Sequence, residues 1–404
     1  MTPSDLTDAL RRVLADLGED AAQRRLDPRW RRPRPEVGGD WSSGVALELA
    51  AATGRPATVL AADLAAGLEA VPGVAQARVT GPGFVTVTLV APGGVVADIL
   101  RAGPGFLRSD ALLGRTVRLD GIRRSGEREV DDLREVRTTV VGECLRRLLA
   151  ASGADVALDP ARAGEPALRG VGVGIEGDAV PGVEKMSLRI GPVALVGALA
   201  PHAPAATTPT ATVNGSSSGD AGRETRDAGS DLADLTDLSD LAVRLGTDTL
   251  RVGLLRVPPE EPATIDVDAW SRRDDGNPAF RLVHAQARAA REVRAGAHLA
   301  DEPFHATALT DEQDAALASL LADTPRVVLR AAQGCRPDHL VRHLDLVAAR
   351  VGVWTSTRGL TGADLTATGP ARDEAAARRC LAEASRLVLV GGLDLLGVTA
   401  PERV

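Results

Sequence analysis

Tyrosine is absent from the chain, tryptophan and phenylalanine number four each, and lysine occurs once, at Lys185, against 46 arginines. With its Ala, Arg, Gly and Val bias this is the signature of a GC-rich genome, and much of it is mutational. Cysteine is also scarce. Cys144, Cys335 and Cys380 are odd in number and far apart, which excludes a disulfide framework and any CxxC metal site. No apolar run reaches the roughly 18 residues of a membrane span. The first residues lack the basic-then-apolar order of a secretory leader. Positive charge is not in excess either: the formal net charge is −8, so the chain as a whole is no strongly basic nucleic-acid binder. These absences predict a soluble, reduced, cytoplasmic protein with no membrane contact.

What is present reads as several domains, since 404 residues exceed one small core. Leu6, Ala9, Leu10, Val13, Leu14 and Leu17 recur with a helical period, and residues 45–52 and 57–68 predict two more helices. Between them the prolines at 33 and 35 keep an arginine-rich stretch extended. Strands are predicted over 74–79 and 84–89 around the turn Gly81-Pro82-Gly83. The middle predicts a strand at 116–119, a helix over about 136–151 and a strand at 155–158, in βαβ order, then a glycine-interleaved strand at 170–175. Residues 203 to about 230, rich in Ala, Thr, Pro, Ser and Gly, predict a flexible linker, followed by an acidic Asp-Leu segment. From about residue 277 onward the periodicity is helical throughout. Charge divides along these lines: residues 1–108 and 276–404 are each balanced, and the middle carries the whole excess of acid.

Four segments resemble arginyl-tRNA synthetases, in that family's order. Arg32-Pro33-Arg34-Pro35, Gly39-Asp40-Trp41 and Gly81-Pro82-Gly83-Phe84-Val85 are similar to its N-terminal tRNA-corner domain. Asp248-Thr249-Leu250-Arg251 resembles the Asp-Ala-Leu-Arg signature of its anticodon-binding domain. Asn277-Pro278-Ala279-Phe280 through Arg288 is similar to the first long helix of that domain, and residues 392–403 resemble the family's C-terminus. The resemblance implies an α+β N-terminal domain at 1–108, a truncated α/β middle at 109–202 vestigial to a class I catalytic domain, a linker with an acidic segment at 203–243, and an all-α helical bundle at 244–404.

The middle departs from the family pattern. Val136-Arg137-Thr138-Thr139-Val140-Val141-Gly142-Glu143 resembles the helix that follows the family's His-Val-Gly-His motif, but the four preceding positions are Asp132-Leu133-Arg134-Glu135. Carboxylates there repel the ATP phosphates that the histidines would hold. Lys185-Met186-Ser187-Leu188-Arg189 resembles the mobile Lys-Met-Ser-Lys loop, with leucine at the second lysine. Only about 50 residues separate the two positions, too few to hold the family's arginine pocket. Lys185 and Ser187 are therefore vestiges of an ATP loop.

Candidate RNA contacts come from both ends. The cluster from Arg24 to Arg34, with Arg29, Arg31, Arg32 and Arg34 around Trp30, is the best local electrostatic footprint, although snorkelling surface arginines look the same. In the helical domain the resemblance implies anticodon-facing positions at Asn277, Arg281, His284 and Arg288, and around Trp354 and Arg358. Trp354 is either a stacking platform for an unpaired base or a core residue closing the bundle. His339 and His343 lack a third metal ligand, so no metal site is expected. The expectation is a catalytically inactive paralogue that binds tRNA through its outer domains, with no cofactor beyond ATP if some activity persists. The alternatives are an arginine–tRNA ligase and a scaffold that docks proteins through the helical domain.

Overall fold

The structure, a computed structural model, describes residues 3–19, 28, 30–31, 33–34, 36–89, 93–120, 133–159, 170–176, 186–196 and 238–400. Lys185, Asp132, Arg24, Arg25, Arg29, Arg32 and the expected linker lie outside these.

The N-terminal part opens with α1 (Pro3–Asp16), whose Leu6, Leu10, Val13 and Leu14 are buried at the predicted helical spacing. Then follow β1 (Trp41–Ser43), α2 (Val45–Thr53), α3 (Ala57–Glu69), β2 (Val74–Thr80) and β3 (Phe84–Leu89). The sheet is antiparallel in the order β1-β3-β2. Leu60, Leu64 and Leu68 of α3 share the core with Val85 and Val87 of β3. The arginine-rich stretch runs extended, as its prolines require: Arg31 and Ser42 exchange backbone hydrogen bonds of 2.8 and 2.7 Å. Strand alternation then puts Trp30 inside, 1% exposed with its Nε1 donating to Thr7 Oγ1 at 3.2 Å, and Arg31 outside.

A helix not expected from the sequence, α4 (Gly94–Ala102), and a 3-10 turn at Gly103–Leu107 lead into the middle. Both pack on the last helix of the chain, so the N-terminal part touches the helical domain directly.

In the middle, β4 (Thr116–Asp120), α5 (Leu133–Ala151) and β5 (Asp155–Asp159) form the predicted unit, with β4 and β5 parallel. The other neighbour of β4 is β6 (Gly170–Glu176), which runs antiparallel and pairs in turn with antiparallel β7 (Met186–Arg189). The sheet order is β5-β4-β6-β7. The segment expected as a mobile phosphate loop is thus strand from Met186, with Ser187 opposite Gly172.

Next, β8 (Val193–Val196) pairs in parallel with β9 (Ala263–Asp266), across about seventy residues of chain. Between them lie α6 (Leu238–Leu245) and α7 (Thr247–Leu255); α8 (Val267–Ser271) follows β9. The bundle consists of α9 (Pro278–Ala295), α10 (Glu312–Ala322), α11 (Thr324–Gln333), α12 (Pro337–Thr357), α13 (Gly362–Leu365) and α14 (Pro370–Leu396); the periodicity predicts all but the four-residue α13. One hydrophobic core runs from α1 to α14. No helix among the described residues is long and apolar enough to cross a membrane, and no group of three potential ligands could hold a metal ion there.

Candidate nucleic-acid interface

Two surfaces gather the expected contacts. The first is the outer face of the N-terminal sheet. Directly opposed residues in a sheet share a face, and the register makes one row of Arg31, Ser42, Thr86 and Arg78. Thr86 Oγ1 donates to Ser42 Oγ at 3.1 Å and lies 2.8 Å from Thr80 Oγ1. Arg78 donates to the carbonyl of Val37, holding the turn that Arg34 opens. Arg31 and Arg34 are exposed and have no carboxylate within 4.0 Å among the described residues.

Phe84 stands on this same face, two residues from Thr86 along β3 and opposite Thr80. It is 40% exposed. One side of its ring lies over Gly44, where a Cβ would stand 3.2 Å away, so glycine lets the ring settle flat on the chain. All eight aromatic residues of the chain fall among the described residues, and the other seven are buried or half-buried. Phe84 is thus the one exposed aromatic ring of the protein. It was missed as a candidate, although Val85 and Val87 facing the core require Phe84, Thr86 and Thr88 to face away.

The second surface lies on α9 and α12, which run parallel. Arg281 donates to Asp345 Oδ1 at 2.8 Å, and one full heptad on, Arg288 donates to Gly352 O at 3.4 Å. At about 100° per residue, Arg281, His284, Arg288 and Arg291 form one stripe along α9. His284 is half-buried with its ring 5.0 Å from that of Phe280, and burial together with the Arg288 charge pushes its pKa down. On α12, Arg342, Leu346, Ala349, Arg350 and Val353 are exposed beside it.

Three helical-domain candidates are engaged within the protein instead, Trp354 and Asn277 buried and Arg358 half-buried. Trp354 is 0% exposed, and its Nε1 donates to buried Asp314 Oδ1 at 2.6 Å. A wholly buried indole offers no face to a base, so the core reading replaces the stacking platform. Arg358 is spent on Asp314 Oδ2 at 3.1 Å and Glu374 Oε1 at 2.7 Å. Asn277 is 3% exposed and caps α9: its Oδ1 accepts from Ala279 N and Phe280 N, while its Nδ2 donates to the carbonyls of Trp270 and Arg272. An asparagine before a proline at the first helical position is the sequence mark of such a cap.

The motif residues of the middle are likewise structural. Arg137 is 0% exposed, and its five N–H groups reach five backbone carbonyls, those of Gly191, Leu254, Val257, Pro258 and Glu261, at 2.7–3.2 Å. Burial pushes its pKa down, and Glu260, Asp338 and Glu261 oppose that from farther off. Gly191 presses against the same loop; a Cβ there would meet Glu261 O at 2.3 Å. In the Asp248-Thr249-Leu250-Arg251 signature, Asp248 accepts from Thr399 N at 3.1 Å and Arg251 donates to Glu143 at 2.8 Å. The signature ties α7 to α5 and to the end of the chain.

Comparison with known proteins agrees with this layout. Residues 4–89 match the arginyl tRNA synthetase N terminal domain, and residues 282–404 the DALR anticodon binding domain. The chain is 36% identical over 166 residues to the arginine–tRNA ligase of Micrococcus luteus, a match covering 39% of this chain and 30% of that protein. The Kineococcus radiotolerans ligase is 35% identical over 164 residues, covering 39% and 29%. The matched part thus spans under a third of these relatives' length. The fold is similar to that of Thermus thermophilus arginyl-tRNA synthetase, with TM-score 0.62 at 14% identity over all of both chains. It is also similar to that of the Plasmodium falciparum enzyme, with TM-score 0.56 at 7% identity over 98% and 99%. The chain is arginyl-tRNA synthetase-like, with residues 4–89 matching that family's N-terminal domain and residues 282–404 a DALR anticodon-binding domain.

Proposed function

We propose that this protein binds tRNA through its two outer domains and does not aminoacylate it. One observation carries the loss of catalysis: β6, on the open side of β4, is antiparallel, and the Lys-Met-Ser-like segment continues into β7 at its edge. An open α/β sheet binds nucleotides in the crevice where parallel neighbours part at their carboxyl ends. Among the described residues β4 has only one parallel neighbour, so that crevice is not built. The acidic residues Asp132 and Glu135 in place of the histidines support the same reading. Of the two nearby arginines that α5 offers, Arg137 already donates all five of its N–H groups to carbonyls, and Arg134 donates Nε to Ile190 O at 2.8 Å.

RNA binding rests on the N-terminal face. An exposed phenylalanine stacks on one unpaired base irrespective of its identity, the half-buried Thr80 hydroxyl opposite it bonds the base edge or ribose, and Arg31 and Arg34 pair with phosphates, while Thr86, 1% exposed, holds the row from within. The test has two arms. Arginine-dependent ATP–pyrophosphate exchange, with tRNA present, is expected to be absent; measurable exchange makes the protein a ligase. Phe84→Ala is expected to weaken tRNA binding roughly tenfold or more, the loss of one stacked base at about 1–3 kcal/mol. The exposed Leu346 and Val353, 62% and 51% accessible, favour a second reading in which α12 docks a protein. A purified chain that binds no tRNA leaves that reading in place.

A further inference from the structure

Residues 276–404 carry as many acidic as basic residues, yet they are not mixed evenly over the surface. Its carboxylates are largely consumed in pairs: Asp345 with Arg281, Asp323 with Arg326, Asp338 with Arg336, Asp314 and Glu374 with Arg358, Asp364 with Arg378, Glu302 with Arg372 and Glu383 with Arg386. Six arginines of residues 276–400, Arg288, Arg291, Arg294, Arg330, Arg350 and Arg379, have no carboxylate within 4.0 Å among the described residues, and four of them lie on α9 or α12. On the α12 crest, Leu346, Ala349 and Val353 run between the arginines of α9 on one flank and Arg350 on the other. The face is cationic and aliphatic. It has no exposed aromatic ring: Trp354 is turned inward, Phe280 is half-buried against His284, and tyrosine does not occur in the chain.

We infer that the α9–α12 face grips the RNA backbone and does not read anticodon bases, so the protein accepts tRNAs irrespective of anticodon. This rests on the proposed tRNA binding. Reading unstacked bases requires an open ring or guanidinium plane and edge-specific donors or acceptors held in place; His284 is half-buried against Phe280, Arg281 is tied to Asp345, and Arg291 and Arg350 have no side chain that fixes them among the described residues. Here the aliphatic crest meets riboses and base faces indifferently, and the asparagine and tryptophan that could have supplied such groups are internal. Arginines without carboxylate partners bind phosphate and release counterions, which contributes affinity without sequence information.

The test is a set of tRNA transcripts with one body and different anticodon loops, titrated against the full chain over a range of salt. Anticodon exchanges are expected to change Kd less than twofold. Arg291→Gln with Arg350→Gln, both at exposed positions, should weaken all transcripts alike and lower the salt slope by roughly one to two. Adding Arg288→Gln should extend the same trend. A tenfold or larger dependence on any anticodon base overturns the inference, as does an unchanged salt slope in the double variant. If the unaltered chain binds no tRNA, the inference falls together with the reading it rests on. Binding that is intact but anticodon-sensitive refutes the inference alone.

Discussion

Replacing Arg137 by methionine is the sharpest perturbation of this fold. The side chain volume is nearly kept, while five N–H donors disappear from a site with no water-facing surface. The hydrogen bonds to Leu254 O, Gly191 O and Pro258 O are themselves buried. A buried acceptor left without a partner costs about 1–3 kcal/mol, so three cost roughly 3–9 kcal/mol before relaxation. Removing a desolvated cation offsets part of this, because burial alone already disfavours the charge. A net loss of about 3 kcal/mol or more is expected, localised where the α7–β9 loop meets Gly191. Hydrogen exchange reads that place directly: Gly191 N donates to Pro259 O at 2.7 Å and Ala263 N to Pro192 O at 2.9 Å. Both amides should exchange on the order of 100-fold faster in Arg137→Met, with lesser effects in the middle of α14. Arg137→Lys, with three donors on a flexible stem in place of a five-donor fork, should fall between. Unchanged protection at Gly191 and Ala263, with an unfolding midpoint equal to that of the unaltered chain, would refute the reasoning.

Further outcomes follow from the interior. Burial pushes His343 down to about 4, and its Nε2 lies 2.9 Å from Thr324 Oγ1. The unfolded chain therefore takes up that proton first, and stability falls as pH drops from about 6.5 toward 4, by roughly 3 kcal/mol for this one group. His343→Gln should flatten urea midpoints across that window, and an unaltered slope would contradict it. Trp354→Ala should destabilise the bundle by about 3–5 kcal/mol. Trp354→Phe should still cost about 1–3 kcal/mol, because Asp314 loses a buried donor; loss of RNA affinity at full stability in either variant would restore the stacking platform. The cysteines are all buried, with Cys144 pushed up to about 12 and Cys335 to about 11 by burial. Thiol reagents at pH 7.5 should label these three slowly in the folded chain and rapidly in urea, and fast native labelling at Cys144 would count against the packing of α5.

The helices and strands were legible because their signals are local and periodic. Leu6 through Leu14 declare α1, Asn277-Pro278 declares the start of α9, and the two long bundle helices start within one residue of their predicted bounds but run past them to Thr357 and Leu396. The resemblance at both ends, the missing histidines and the short span between the two catalytic motif positions are equally matters of sequence, since each is a comparison of residue order. The outer face of β3 was also within reach through simple alternation, and it holds Phe84. By contrast, α4 has no mark strong enough to separate it from a loop, because its ends are glycines and its buried face is three residues.

Tertiary structure alone decided the rest. Nothing in the glycine-interleaved run at 170–176 sets its direction beside β4, since a strand pairs by either edge and in either sense until the whole sheet is assembled. The same holds for β8 and β9, which meet across about seventy residues. Trp354 could lie inside or outside its helix, and the choice depended on Asp314, forty positions earlier, offering a buried acceptor. Arg137 illustrates the limit most clearly. Its five acceptors come from residues 54 to 124 positions away and are backbone carbonyls, which every residue carries alike. A periodicity reports what a segment does with its own neighbours. Which distant backbone closes around a side chain is settled only by the packing of the complete chain.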